Sequence, residues 1–302
     1  VAGGVRSVLL TSGTLSPLGS FASELGIPFP HRLENPHVIR AKQILVGVVP
    51  SGPSGVELTS KFTHRETPEY KAELGNALVN VARLVPQGVL VFFPSMAALS
   101  GAAEQWGKRG SDGGPTVLER LEKHKRVIIE PRGQAEVAPV IERFKEHVAI
   151  AERTGVGGAV LFAVCRGRLS EGVDFSDSAC RAVVITGLPL PPVYDPKVAL
   201  KREYLDVCRR HSTGRLSGHE WYDQQAMRAV NQAIGRVIRH VRDYGAVLLF
   251  ESRFKLPKYR EGLSVWLRAH VRVFDQFGQV AVALPRFYRE ATPDGPTPEQ
   301  RR

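Results

Sequence analysis

Gln232, Arg236 and Arg239 stand in the run QAIGRVIRH, residues 232 to 240. Arginine presents a rigid planar fork that suits phosphate oxygens, and glutamine adds a neutral donor and acceptor. Two arginines one helical turn apart can both reach one triphosphate, where they would stabilise charge developing on a transferring γ-phosphoryl group. Ser217 followed by Glu220 predicts a capped helix start upstream. At about 100° per residue, a helix carried through Arg239 gathers Gln225, Arg228, Gln232, Arg236 and Arg239 on one stripe. Ala226, Val230, Ala233 and Val237 then face the core. Gly235 would sit mid-helix beside the stripe, at a cost of about 1 kcal/mol against alanine, which predicts close packing on the backbone there. A solvated basic face fits the same periodicity.

A second set of candidates follows apolar runs. Ser95 comes after VLVFF, Arg166 after AVLFAV, and Thr186 closes AVVIT. These are the carboxyl ends of expected strands, where open α/β sheets bind ligands. Hydroxyl and guanidinium groups there can donate to phosphate oxygens. With Arg228 they fit contact with a single nucleic-acid strand without base reading, though each alone also fits an ordinary loop role. Asp174, in SEGVDF, reads either as a turn-capping acid or as part of a nucleotide cleft.

Several chemistries are excluded. GAAEQWGKR (101–109) is one residue too long for a phosphate-cradling loop, and Arg109 stands where a magnesium-binding hydroxyl belongs. HEWYD (219–223) lacks the second histidine of a zinc protease helix. Cys165, Cys180 and Cys208 form no CxxC pair, so they predict neither a zinc site nor a disulfide framework. No metal-binding residues are predicted.

The elements that must hold the candidates are read from the apolar pattern. SVLLT (7–11), ILVGVV (44–49), VLVFF (89–93), VIIE (127–130), AVLFAV (159–164), AVVIT (182–186) and AVLLF (246–250) are apolar on successive residues. That pattern predicts strands buried on both faces of a parallel sheet. Helical stretches alternate with them, the clearest beginning at Thr67 as N-cap and Pro68 at the first helical position. The expectation is an α/β fold. PSGPSG (50–55), GSDGGP (110–115) and TGVGG (154–158) read as linkers. Residues 1–40 read as a junction, 41–290 as the main domain, and 291–302 as a disordered tail. The apolar runs are strand-sized and predict no membrane-spanning helix. The 302 residues carry a net charge of +11. Residues 201–242 are especially rich in Lys and Arg, which favours a polyanionic partner.

TSGTLSP (11–17), VFFPS (91–95), CRGRLSEGVDFSD (165–177), TGLPLPP (186–192), the QxxGRxxR string at 232–239 and DYGAVLLFESRF (243–254) occur in that order. Together they resemble the second motor domain of XPD-like superfamily 2 DNA helicases. The resemblance implies a RecA-like three-layer α/β fold around a mostly parallel sheet, P-loop NTPase in type though without a P-loop in this stretch. It implies Arg239 as the arginine finger, Arg236 as a second phosphate contact, and Gln232 near the γ-phosphate. Glu171, Gly172 and Asp174 would lie at the nucleotide cleft. ATP and Mg2+ would serve the complete enzyme, and an iron–sulfur cluster would belong to the first motor domain alone. The implied partners are single-stranded DNA and that first motor domain. The implied setting is DNA repair in the nucleus, with 5′ to 3′ movement and no turnover by this chain alone. The competing expectation is a non-catalytic module that binds nucleic acid or protein.

Overall fold

A computed structural model describes residues 4, 6–11, 16–27, 29–35, 37–110, 113–170, 173–211 and 216–291. Seven strands, β1 (Ile44–Val48), β2 (Gly88–Phe93), β3 (Arg126–Ile129), β4 (Ala159–Val164), β5 (Ala182–Ile185), β6 (Gly245–Leu249) and β7 (Val271–Val273), form one sheet. Their order is β3-β4-β2-β5-β6-β1-β7, and every pairing is parallel. The helices are α1 (Leu18–Leu25), α2 (Phe62–Arg65), α3 (Pro68–Leu84), α4 (Met96–Trp106), α5 (Val117–Glu122), α6 (Val137–Thr154), α7 (Pro196–His211), α8 (Gly218–Ile234), α9 (Pro257–Glu261), α10 (Val265–Arg268) and α11 (Phe277–Ala291).

Alternate side chains of β1 to β6 feed two cores, which makes three layers. In β2, Leu90 and Phe92 join α6 and α8, while Val89, Val91 and Phe93 join α3, α4 and α11. Burial on both faces is why the strands read as unbroken apolar runs. Six of the predicted strands form. α3 starts where its signals place it: Thr67 Oγ1 accepts from Tyr70 N at 3.2 Å, with Pro68 in the first turn.

The structure departs from the expectations at three places. SVLLT does not join the sheet: residues 6–11 lie outside any strand, and Leu9 is 89% exposed. A β-rich run becomes a strand only where a neighbour supplies its ladder, and no strand of this sheet pairs with it. β7, with only the three residues VRV at the sheet edge, carried too short a pattern to predict. The main domain extends one residue past the expected boundary, because α11 runs to the buried Ala291. The tail that follows, 292–302, lies outside the described residues, as does most of TSGTLSP.

Ser16 lies against α8, and Glu34 and His37 lie against the segment that follows α9. Asn231 Nδ2 donates to Ser16 O at 3.2 Å, Val265 N donates to Glu34 Oε1 at 3.1 Å, and the His37 and Trp266 rings sit 4.6 Å apart.

Candidate functional site

α8 is capped as its sequence dictates: Ser217 Oγ accepts from Glu220 N, and Glu220 Oε2 accepts from Ser217 N at 2.8 Å. It does not, however, run on through Arg239. The helix ends at Ile234 with Gly235 as its cap, and the chain turns there: Gly235 N donates to Asn231 O and Val237 N to Ile234 O. Gly235 therefore marks a helix end and not a close approach to a helix middle. Beyond the cap, Val237 and Ile238 are both buried in the core that α8 shares with the sheet, which holds the turn against it. Gly245 then lets β6 start tight against this turn, since a Cβ there would lie 2.6 Å from Val237 Cγ2.

The turn brings the two arginines onto one segment. Arg236 is 6% exposed; its Nη1 donates to Val173 O and its guanidinium lies 5.8 Å from the Phe175 ring centroid. Arg239 reaches the neighbouring Asp174, Nε to Oδ1 at 3.4 Å, with its side chain 35% exposed. Asp174 is itself largely exposed and accepts from Ser176 Oγ at 3.2 Å. Gln232 is partly buried, in the last turn of α8. Glu171 and Gly172 lie outside the described residues.

The organiser of the turn is a residue that sequence reasoning missed. Asp243, buried, accepts at Oδ2 from Arg239 N (3.0 Å) and at Oδ1 from Arg181 Nη1 and Tyr244 N (2.9 Å each). Arg181 also covers the Tyr244 ring, 4.1 Å from its centroid. His240 and Asp177 stand beside Asp243 and meet at 2.8 Å. Both Asp243 oxygens are already taken by N–H donors, so this trio reads as a brace for the loop rather than as a ligand set.

The predicted basic stripe is not an open face. α1 covers its first half: Glu24 accepts from Trp221 Nε1 (2.7 Å), Gln225 Nε2 (2.8 Å) and Arg228 Nη1 (3.2 Å), while Phe21 lies 4.0 Å beneath the Arg228 guanidinium. Arg228 is thus engaged within the chain, and its placement as a DNA contact gains nothing from this geometry.

At the carboxyl ends of the strands the candidates divide. Ser95 caps α4, its Oγ accepting from Ala98 N at 3.2 Å, so its hydroxyl proton remains available to an acceptor. Arg166 sits at φ 62°, directly after β4, and its Nη2 donates to Gln225 O. Thr186 is buried, its hydroxyl donating to Phe92 O at 3.2 Å, and so it does not present a donor outward. A hydroxyl spent on a strand carbonyl is why the sequence position misled.

The same edge holds a network that sequence reasoning missed. Glu251, fully buried after β6, accepts from Ser60 N and Oγ at 2.8 Å and from Arg253 Nε at 2.9 Å. Burial alone would raise its pKa, but the hydrogen bonds from Arg253 and Ser60 outweigh it and hold the carboxyl below the usual glutamate value. Arg132 follows β3, and Arg168 reaches back to its carbonyl at 2.7 Å. With Arg166 and Arg253, these arginines form a basic crest along the carboxyl edge. The signal was present: each of these arginines comes within four residues of the end of an apolar run.

A family model described as Helicase C-terminal domain matches residues 78–270. The chain is 49% identical over 293 residues to the Regulator of telomere elongation helicase 1 homolog of Oryza sativa subsp. japonica, covering 95% of this chain and 29% of that protein. It is 48% identical over 301 residues to Regulator of telomere elongation helicase 1 of Homo sapiens, covering 99% of this chain and 24% of that protein. The chain therefore spans about a quarter of the length of these relatives. A solved XPD structure without ligand superposes with a TM-score of 0.54 at 21% identity, over 87% of this chain and 47% of that one. At that identity the superposition speaks for the RecA-like fold alone.

Proposed function

This chain belongs to the helicase C-terminal domain family, in its XPD-like branch, and from that premise we propose that it is the second half of an ATP-driven 5′ to 3′ DNA motor. Arg239 acts as arginine finger and Arg236 as a second, more buried phosphate contact, with Gln232 beside them and Asp174 holding Arg239 until a phosphate replaces it. The observation that carries the reading is the convergence of both arginines on residues 173–175. A partly exposed guanidinium held by a single exposed carboxylate is held weakly, and a triphosphate offers it more charge.

ATP fits this set as substrate of a shared site. The chain supplies cations for the γ-phosphate, while its sequence has no phosphate-cradling loop, so the cradle comes from a first motor domain. Magnesium accompanies ATP in such chemistry; among the described residues the candidate cluster, Asp177, His240 and Asp243, is already bonded internally. Cys165 and Cys180 are buried, with burial pushing each thiol up to about 12. They do not suit an iron–sulfur cluster, whose ligands are thiolates, and such a cluster is assigned to the first motor domain. Single-stranded DNA runs along the carboxyl-edge crest, contacted by Ser95 and Arg166, with backbone-directed contacts from neighbouring arginines. We further propose that it works in the nucleus, in DNA repair and telomere maintenance; the relatives' names speak of regulating telomere elongation.

The test is ATP turnover by the complete enzyme carrying Arg239→Ala. A drop of roughly 10³–10⁵-fold with DNA binding retained supports the finger. Unchanged turnover with weakened DNA binding would instead establish the non-catalytic binding module.

A further inference from the structure

At the opposite, amino-terminal edge of the sheet lies an open cleft of about 720 Å³. The turns joining α3 to β2, α5 to β3 and α6 to β4 build it, with α11 as one wall. Of its lining residues, only Tyr244 also hydrogen-bonds to Asp243, and none belongs to the carboxyl-edge crest. The side chains of Arg83, Lys123, His124, Lys125 and Arg289 line it, against Glu152 as the one acid of the lining. Glu152 is engaged by Ser178 Oγ at 3.2 Å. Among the described residues, no salt bridge gives Arg83, Lys123 or Arg289 a carboxylate partner. Three exposed cations thus face the cleft uncompensated. The Lys125 ammonium lies beneath them, donating to Gln87 O (2.6 Å) and Gly157 O (3.1 Å). Burial first, then Arg83, Lys123 and Lys125, hold the His124 imidazole below its ordinary value, a second sign of concentrated positive charge.

Apolar side chains share the lining: Leu84, Val85, Pro86, Pro285 and Val156, the last 77% exposed. We propose that this cleft docks a short segment of a partner protein that is acidic and bears apolar side chains. Its carboxylates meet Arg83, Lys123 and Arg289, and its apolar groups cover Leu84, Val156 and Pro285. The size falls within the usual range of ligand pockets, roughly 300–1,000 Å³. Single-stranded nucleic acid fits less well, because it binds through aromatic faces on which bases stack. The two aromatic residues here are spent: the Tyr244 ring carries the Arg181 guanidinium, and Tyr288 is buried with its hydroxyl donating to Arg181 O at 2.7 Å.

The experiment is fluorescence anisotropy on the full chain with a short labelled peptide of alternating glutamate and leucine. Binding is expected at low salt. It should weaken at least about tenfold in Lys123→Glu/Arg289→Glu, as for removal of close charge pairs, and stay unchanged in Lys145→Glu, an exposed lysine on α6 away from the cleft. Val156→Asp alters one exposed loop side chain and should weaken binding in a chain that keeps its fold, so misfolding of the double variant does not decide the matter. An all-glutamate peptide should bind more weakly than the alternating one. Absence of peptide binding, an equal loss in Lys145→Glu, or displacement of the peptide by a thymidine oligonucleotide that needs the same lysine and arginine would each overturn the proposal, the last in favour of a nucleic-acid site.

Discussion

The Nε of Arg239 stands 3.4 Å from Oδ1 of Asp174, while the backbone N–H of the same arginine is fixed at 3.0 Å by the buried Asp243. One end of the residue is anchored and the other is loosely tethered, which is the mechanical condition for a side chain that must reach a second partner. The tether adds little to the fold, since exposed ion pairs contribute about 0–1 kcal/mol. Asp174→Ala is expected to change unfolding free energy in urea by less than about 1 kcal/mol. A larger loss would mean that the pair is structural and Arg239 is not spare.

Asp243 is the opposite case. Its carboxylate joins Arg181, Arg239 and Tyr244 in a site closed to solvent. Removing one partner of a buried pair leaves the other charge uncompensated, at a cost of about 3–5 kcal/mol. Asp243→Ala should therefore lower urea stability by that order, with Asp243→Asn intermediate because it keeps an acceptor for one N–H. In the complete enzyme it should also depress ATP turnover, by loosening the turn that aims Arg239.

How much of this was legible follows from distance along the chain. The strands declared themselves because burial on both faces forces unbroken apolar runs, and helix starts at Thr67 and Ser217 are written within four residues. That Arg236, Arg239 and Asp174 share one cleft was implied by the family resemblance and not by their spacing. Gly235 ends α8 as its cap, and the buried Val237 and Ile238 follow it in the turn. Asp243 and Glu251 each have a nearby partner, Arg239 and Arg253, but the partners that fix their burial, Arg181 and Ser60, lie 62 and 191 residues away. Arg228 looked open because α1, which covers it through Glu24, is 204 residues distant. Local rules carry local information; pairings closed by the fold leave no spacing to read.

Glu251 gives a pH signature. Its folded carboxyl titrates below the ordinary value because Arg253 and Ser60 stabilise the charged form against burial. A depressed folded pKa contributes stability that is complete above the unfolded value, about 4.3, and is lost as pH falls through the lower folded value. Urea titrations at decreasing pH should show this acid limb in the wild type and a shallower one in Glu251→Gln. An identical limb in both would remove Glu251 from the account.

Lys125 works in the other direction. Burial pushes its ammonium down to about 8, with two carbonyls as its hydrogen-bond acceptors. Between about 8 and the ordinary lysine value near 10.4, the unfolded chain holds more protons at this group than the folded one, so its contribution to stability rises with pH across that window. Below it, both states are protonated and the folded state bears the full cost of a buried charge. Lys125→Met should abolish the rise between about pH 8 and 10 in urea-derived stability. Its effect at neutral pH reflects two opposing changes, the relief of that buried charge and the loss of a donor to Gln87 O and Gly157 O. The pH slope isolates the first of these, and a slope that survives the substitution would place the titrating group elsewhere.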